Sequence, residues 1–164
     1  NAEELENHGT PYAQRWPVLR ERVLAMREIW RREVVEYHGQ FVDFGPMYSY
    51  PKPLQAGGPP FLIGSNSRHA LERVAEYADG WMPIRGRSGS ASIAGLREAC
   101  GRHGRRFEEL RLALYYAPRD EAACRAHLVE GFHELIFALP SAEATAVLPV
   151  LDEIAALARR LRAG

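Results

Sequence analysis

Four small residues, Gly64-Ser65-Asn66-Ser67, follow the apolar run Phe61-Leu62-Ile63 and precede a helical repeat that starts near Ala70. The first N–H groups of a helix lack intrahelical partners, and the helix dipole is positive at that end. A glycine just ahead of them lets a ligand approach the backbone closely. Serine and asparagine add short donors. Such a corner can hold an anion, phosphate above all. The same four residues also make an ordinary strand-to-helix turn, with Asn66 or Ser67 as its N-cap. The run is neither a P-loop nor the dinucleotide G-x-G-x-x-G pattern. Further along, Asp79-Gly80 introduces Trp81, which could stack on a flat ligand, line a pocket, or serve as a core aromatic. Arg85 and Arg87 fall in the loop beyond. A guanidinium there suits phosphate or carboxylate, and a solvated loop charge is the plain alternative. His69 lies in the first helical turn beside the corner, either within reach of a bound phosphate or simply at the surface.

Other chemistries find little support. The six histidines (His8, His38, His69, His103, His127 and His133) form no HExxH and are joined by no carboxylate cluster at ligand spacing, so no metal site is assigned. Cys100 and Cys124 form no CxxC pair and are read as reduced structural thiols. No G-x-S-x-G elbow is present, and no catalytic residue is assigned within the chain. Lys plus Arg equals Asp plus Glu, 21 against 21, which argues against long-range attraction to nucleic acid or an anionic membrane. There is no secretory signal, and no apolar run approaches the ~20 residues of a spanning helix. The expected location is cytoplasmic. The chain starts with Asn1 rather than Met, on residues that read as the inside of an element, so it is expected to be a fragment.

The elements that would position these residues follow from periodicity. Leu19, Val23, Met26, Ile29 and Trp30 recur at helical spacing and predict a helix over 17–33, with Glu21 and Arg27 on its solvated face. Tyr37 to Phe44 suggests a short hairpin. The proline- and tyrosine-rich stretch from Gly45 to Pro53 is expected to be irregular, either a functional loop or an aromatic flap over the core. From residue 60 strands and helices alternate. Strands are predicted at Phe61–Gly64, Trp81–Ile84, Leu110–Tyr116 and Glu134–Leu139. Helices lie between them, and a last helix is opened by Pro140-Ser141 with Ser141 as N-cap. Alternation implies parallel strands joined by right-handed crossovers, in either an open doubly wound sheet or half of a (β/α)8 barrel, whose full length is typically ~250 residues. In both architectures ligands bind at the carboxyl ends of the strands.

Taken together, Tyr37-His38-Gly39, Pro51-Lys52-Pro53, Pro59-Pro60-Phe61-Leu62-Ile63-Gly64 and Ala78-Asp79-Gly80-Trp81-Met82-Pro83 resemble the luciferase-like monooxygenase superfamily, particularly its flavin- and deazaflavin-dependent oxidoreductases. The resemblance runs over nearly the whole chain. It implies an α/β fold: residues 1–164 as a single partial domain, the C-terminal half of a (β/α)8 TIM barrel, with 34–58 as an insertion before the strand at 60–64. It also implies that Gly64, Ser65, Asn66 and Ser67 cradle the cofactor phosphate, and that Trp81, Arg85 and Arg87 line the pocket. The cofactor would be coenzyme F-420 or FMN, with the F-420 branch the nearer likeness.

The function implied is hydride transfer or monooxygenation on a small organic substrate. The acid–base groups would lie outside this chain, so the fragment alone is expected to be inactive. A homodimer is an expected state, because the family often dimerises. Two other readings stay open: a non-catalytic flavin- or phosphate-binding half-barrel module, and a phosphate-binding barrel of another enzyme class.

Overall fold

The computed structural model describes residues 1–163. The chain divides into two compact units, Asn1–Phe61 and Leu62–Gly164.

The first unit holds α1 (Ala2–Asn7), a 3-10 turn (Tyr12–Gln14), α2 (Arg15–Arg31), and a hairpin of β1 (Val34–His38) and β2 (Asp43–Tyr48). α1 starts on a capping box, in which Asn1 Oδ1 accepts from Glu4 N–H at 2.8 Å. Two side chains tie the unit together, and the helical pattern points to neither. Glu21, expected on a solvated face, instead accepts hydrogen bonds from the backbone N–H groups of Gln40 (2.7 Å), Phe41 and Val42 (2.6 Å). It thereby satisfies the turn of the hairpin from the flank of α2. Lys52 Nζ donates to the carbonyls of Ile29 and Arg32, both at 2.6 Å, closing the C-terminal end of α2 where carbonyls lack partners and the dipole favours a cation.

The expectation of irregular chain from Gly45 onward is corrected: β2 runs regularly through Gly45, Pro46, Met47 and Tyr48. The pairing explains how. Val35 faces Met47 and Tyr37 faces Phe44, so Gly45 and Pro46 together oppose Glu36 alone. Such a bulge, in a sheet of only two strands, tolerates a residue with no N–H to donate.

The second unit is a parallel sheet in the order β3-β4-β5-β6. Its strands are β3 (Leu62–Ile63), β4 (Gly80–Trp81), β5 (Arg111–Tyr115) and β6 (Glu134–Ile136), alternating with α3 (Arg68–Tyr77), α4 (Ile93–Arg102), α5 (Glu121–Glu130) and α6 (Ala144–Arg162). This is the half-barrel architecture expected. The ladders are shorter than the apolar runs suggested, because the chain leaves the sheet early on the carboxyl side. A single bridge from Ile84 to Tyr115 then rejoins the loop after β4 to β5. Ser67, Ser92 and Asp120 cap α3, α4 and α5 through their side-chain oxygens. The final helix departs from expectation. It starts at Ala144 rather than after Ser141, with Glu143 as N-cap and no side-chain cap bond. The first helical carbonyl is that of Glu143, which accepts from Ala146 and Val147. The core of the unit is Val74, Leu96, Leu110, Leu112 and Leu157, with both thiols, Cys100 and Cys124, buried among them. Burial pushes both thiols above their ordinary pKa and leaves them protonated and unreactive. No helix among the described residues is long and apolar enough to cross a membrane.

At Gly80 the backbone of β5 comes close to β4. A Cβ there would overlap the Arg111 carbonyl, so the Asp79-Gly80-Trp81 sequence answers a demand for close backbone approach. Gly80→Ala is expected to lower unfolding free energy by about 1–3 kcal/mol, read by thermal or urea unfolding. A variant as stable as the parent would refute the tight contact. Glu21 supplies a pH test. Partial burial raises its pKa, but the three backbone N–H donors and Arg20 outweigh that and hold it below the ordinary carboxylate value. The carboxylate's contribution is therefore complete above the ordinary range and lost as pH falls through the lowered value. The protection of the Gln40, Phe41 and Val42 amides, their exchange rates taken relative to the intrinsic rate at each pH, is expected to fall on acidification. In Glu21→Gln those amides should already exchange faster at neutral pH, with the acid response gone.

Candidate functional site: a polar corner at the end of the first sheet strand

β3 ends at Ile63, and the next four residues turn the chain into α3. Ser65 Oγ accepts from Ser67 N–H at 3.2 Å, and Ser67 Oγ accepts from His69 N–H at 3.2 Å. Each hydroxyl used this way keeps its own O–H free to donate. The backbone N–H groups of Ser65 and Asn66 donate to no other group among the described residues. The corner is braced from within the sheet by Trp81, whose indole N–H donates to the Ser65 carbonyl at 2.8 Å. That ring is only 3 % exposed and packs against Phe132, centroids 6.2 Å apart. Trp81 thus fixes where the corner sits, and its ring is almost wholly buried.

Asn66 makes the decisive contact. Its Nδ2 donates to the carbonyls of Ile84 (2.9 Å) and Arg87 (3.1 Å), and its Oδ1 accepts from Ile84 N–H at 2.9 Å. Its backbone carbonyl accepts from Ala91 N–H at 3.1 Å. One amide side chain therefore clamps the whole β4–α4 loop onto the corner. Gly89 completes the closure: a Cβ there would collide with the Asn66 backbone.

The product is a polar cleft of about 340 Å3 lined by Gly64, Ser65, Asn66, Ser67, Ile84, Arg87 and Ser88. Arg87 is the only charged residue among them, and no carboxylate lines the cleft. A hypothetical Cβ on Gly64 would come no nearer than 3.5 Å to the Met82 carbonyl. That is ordinary contact, so the protein's own packing does not require glycine at 64. Of the residues read from the sequence, Gly64 to Ser67 and Arg87 come together here. Arg85 does not. It lines a neighbouring cleft of about 260 Å3 with Trp81, Ile93, His127 and Phe132, while its backbone N–H donates to the Tyr115 carbonyl at 2.9 Å. His69 is exposed and lines neither cleft.

Sequence reading missed two features of this end of the sheet. The Asn66 clamp leaves no local signal, since its partners are 18 and 21 residues away. Tyr116, directly after β5, is the only non-glycine residue among those described with a positive φ, at 60°. That backbone costs of order 1–3 kcal/mol, and the half-exposed ring sits edge-on to Tyr115 with centroids 4.6 Å apart.

Asn66→Ala removes the partners of two Ile84 backbone groups and the Arg87 carbonyl. It is expected to cost about 1–3 kcal/mol and to accelerate amide exchange at Ile84 in particular. Unchanged exchange at Ile84 would show that the loop holds without the clamp.

With this geometry in view, the likeness to known proteins can be stated. The family model described as "Luciferase-like monooxygenase" matches residues 1–162. An uncharacterized protein of Mycobacterium tuberculosis is 33% identical over 165 residues, covering 99% of this chain and 55% of the relative. The FMNH2-dependent dimethylsulfone monooxygenase of Pseudomonas putida is 28% identical over 133 residues, covering 77% of this chain and 36% of that protein. Among solved structures, the monooxygenase RslO1 from Streptomyces bottropensis superposes with a TM-score of 0.52 at 20% identity, over 94% of this chain and 48% of that one. The chain spans about half the length of the curated relatives it matches. A match over nearly every residue, with the half-barrel fold that goes with it, establishes that this chain belongs to the luciferase-like monooxygenase family.

Proposed function

We propose that this chain supplies the phosphate cradle and one wall of the cofactor site in an oxidoreductase that uses a reduced flavin or deazaflavin on a small organic substrate. The observation that carries the reading is the polar cleft at Gly64–Ser67. It combines two hydroxyl donors, backbone N–H groups and the start of α3 with Arg87 as the one charged residue of its lining and no carboxylate. Such a donor set fits a phosphate group. FMN and coenzyme F-420 both carry a phosphate on the ribityl chain, so donors aimed at phosphate oxygens suit either. The family and the FMNH2 dependence of the Pseudomonas putida relative support a cofactor of this class. When bound, that cofactor supplies the hydride or activates oxygen. The residues here bind and orient it: Ser65, Ser67 and Arg87 hold the phosphate, Asn66 holds the Arg87 loop, and Trp81 holds the corner. Turnover is proposed for this half together with the remaining half of such a barrel, which would complete the ring pocket.

The test is a binding comparison. FMN, F-420 and riboflavin are titrated into the protein and followed by quenching of ring fluorescence. FMN or F-420 is expected to bind, and riboflavin, which lacks the phosphate, to bind at least about tenfold more weakly. Arg87→Ala should cost FMN about tenfold or more and riboflavin nothing. Gly64→Ala should weaken FMN while leaving the melting temperature where it was. Equal affinity for FMN and riboflavin, or indifference to both substitutions, would remove the phosphate from this corner.

A further inference from the structure

The first unit contains a cleft of its own, unrelated in composition to the polar corner. It measures about 240 Å3 and is lined by Leu5, Thr10, Arg15, Trp16, Val18, Leu19 and Arg22. Its surface is mainly apolar, from Leu5, Trp16, Val18 and Leu19. Two guanidinium groups stand at its rim. Arg15 is held in place: its guanidinium lies 3.7 Å over the Tyr12 ring and 5.3 Å from the Trp16 ring, and Nη1 donates to the Tyr12 carbonyl at 2.6 Å. Arg22 makes one long contact, from Nη2 to Thr10 Oγ1 at 3.5 Å. Thr10 is 4 % exposed, and its own N–H donates to the Leu5 carbonyl at 2.9 Å. Because Thr10 Oγ1 accepts from Arg22, its hydroxyl hydrogen is left to donate.

No carboxylate among the described residues pairs with either arginine, although other arginines of α2 are paired: Arg31 contacts Glu28, as does Arg32 just beyond the helix. Two unneutralised guanidiniums beside an apolar floor call for a ligand with a charged head and an oily body. Arginine prefers planar, two-oxygen anions, which it meets with paired N–H donors. Arg15 is already ordered by its stacking on Tyr12, so little side-chain freedom remains to be lost on binding. The cleft is smaller than the ~300–1,000 Å3 usual for drug-sized ligands, so the body must be small.

We propose that this cleft binds a small apolar monocarboxylate, a medium-chain acyl or aryl acid, with its carboxylate between Arg15, Arg22 and the Thr10 hydroxyl and its body against Leu5, Trp16 and Leu19. The site rests on Arg15 and Arg22 and stands whether or not the polar corner holds a phosphate.

Octanoate, octanamide and inorganic phosphate are titrated into the full chain, with the Trp16 indole and Thr10 amide resonances followed by NMR. Octanoate is expected to shift both resonances saturably. Octanamide, of the same shape without the charge, should bind at least about tenfold more weakly, and phosphate should leave the Trp16 indole unmoved. Arg15→Gln and Arg22→Gln should each weaken octanoate about tenfold while leaving octanamide unchanged. That pattern separates loss of a charge partner from general loosening of the fold. Equal affinity for acid and amide, octanoate affinity intact in the Arg15→Gln/Arg22→Gln double variant, or no saturable shift at all would each overturn the proposal.

Discussion

A single amide side chain holds the candidate site in shape. Asn66 spends both its oxygen and its nitrogen on the backbone of the β4–α4 loop, meeting Ile84 twice and Arg87 once. Without those bonds the loop would keep only its backbone ties, such as Arg85 N–H to the Tyr115 carbonyl and Ala91 N–H to the Asn66 carbonyl. With them it becomes the second wall of a cleft, and its Arg87 is placed beside a helix start. A neutral amide suits this task because it offers donors and an acceptor at once. A carboxylate there would face the two carbonyls with like partial charge, and a leucine would leave the backbone groups unpaired.

The clamp divides labour among residues that look equivalent in the sequence. Ser65 and Ser67 turn their acceptor sides toward neighbouring backbone and keep their hydroxyl hydrogens available. Trp81 reaches the same corner from the next strand and fixes the Ser65 carbonyl. Arg85 and Arg87, two residues apart, face different clefts. The glycines divide in the same way. Gly80 and Gly89 sit where backbone meets backbone, so their reason for being glycine lies inside the protein. At Gly64 a Cβ would meet Met82 only at ordinary contact distance, so close packing does not account for glycine there.

In the first unit, charge fills a structural role that amphipathic patterning assigns to solvent. Glu21 and Lys52 lie on opposite sides of the same logic: a carboxylate gathers the N–H groups of a turn, and an ammonium gathers the carbonyls of a helix end. Each replaces water at a place where the backbone has no partner of its own. Through them the hairpin turn at residues 40–42 and the Pro51-Lys52-Pro53 segment are both tied back to α2.

Much of the architecture was legible because its causes are local. The run Phe61-Leu62-Ile63, the spacing of Ala70, Leu71, Val74 and Ala75, and the caps at Ser67, Ser92 and Asp120 all act within a few residues, so a one-dimensional pattern suffices to place strands, helices and the corner between them. The same reading failed where cause and effect are far apart in the chain. The regular β2 through Pro46 depends on a bulge opposite Glu36. The start of α6 depends on which carbonyl takes the first bond, not on the nearest serine. The polarity of the corner was thus written in four adjacent letters. Whether it became a cleft, and which arginine entered it, was decided only when a side chain 18 residues away in sequence closed a loop over it, because hydrogen bonds are chosen by distance in space and leave no trace in the order of residues.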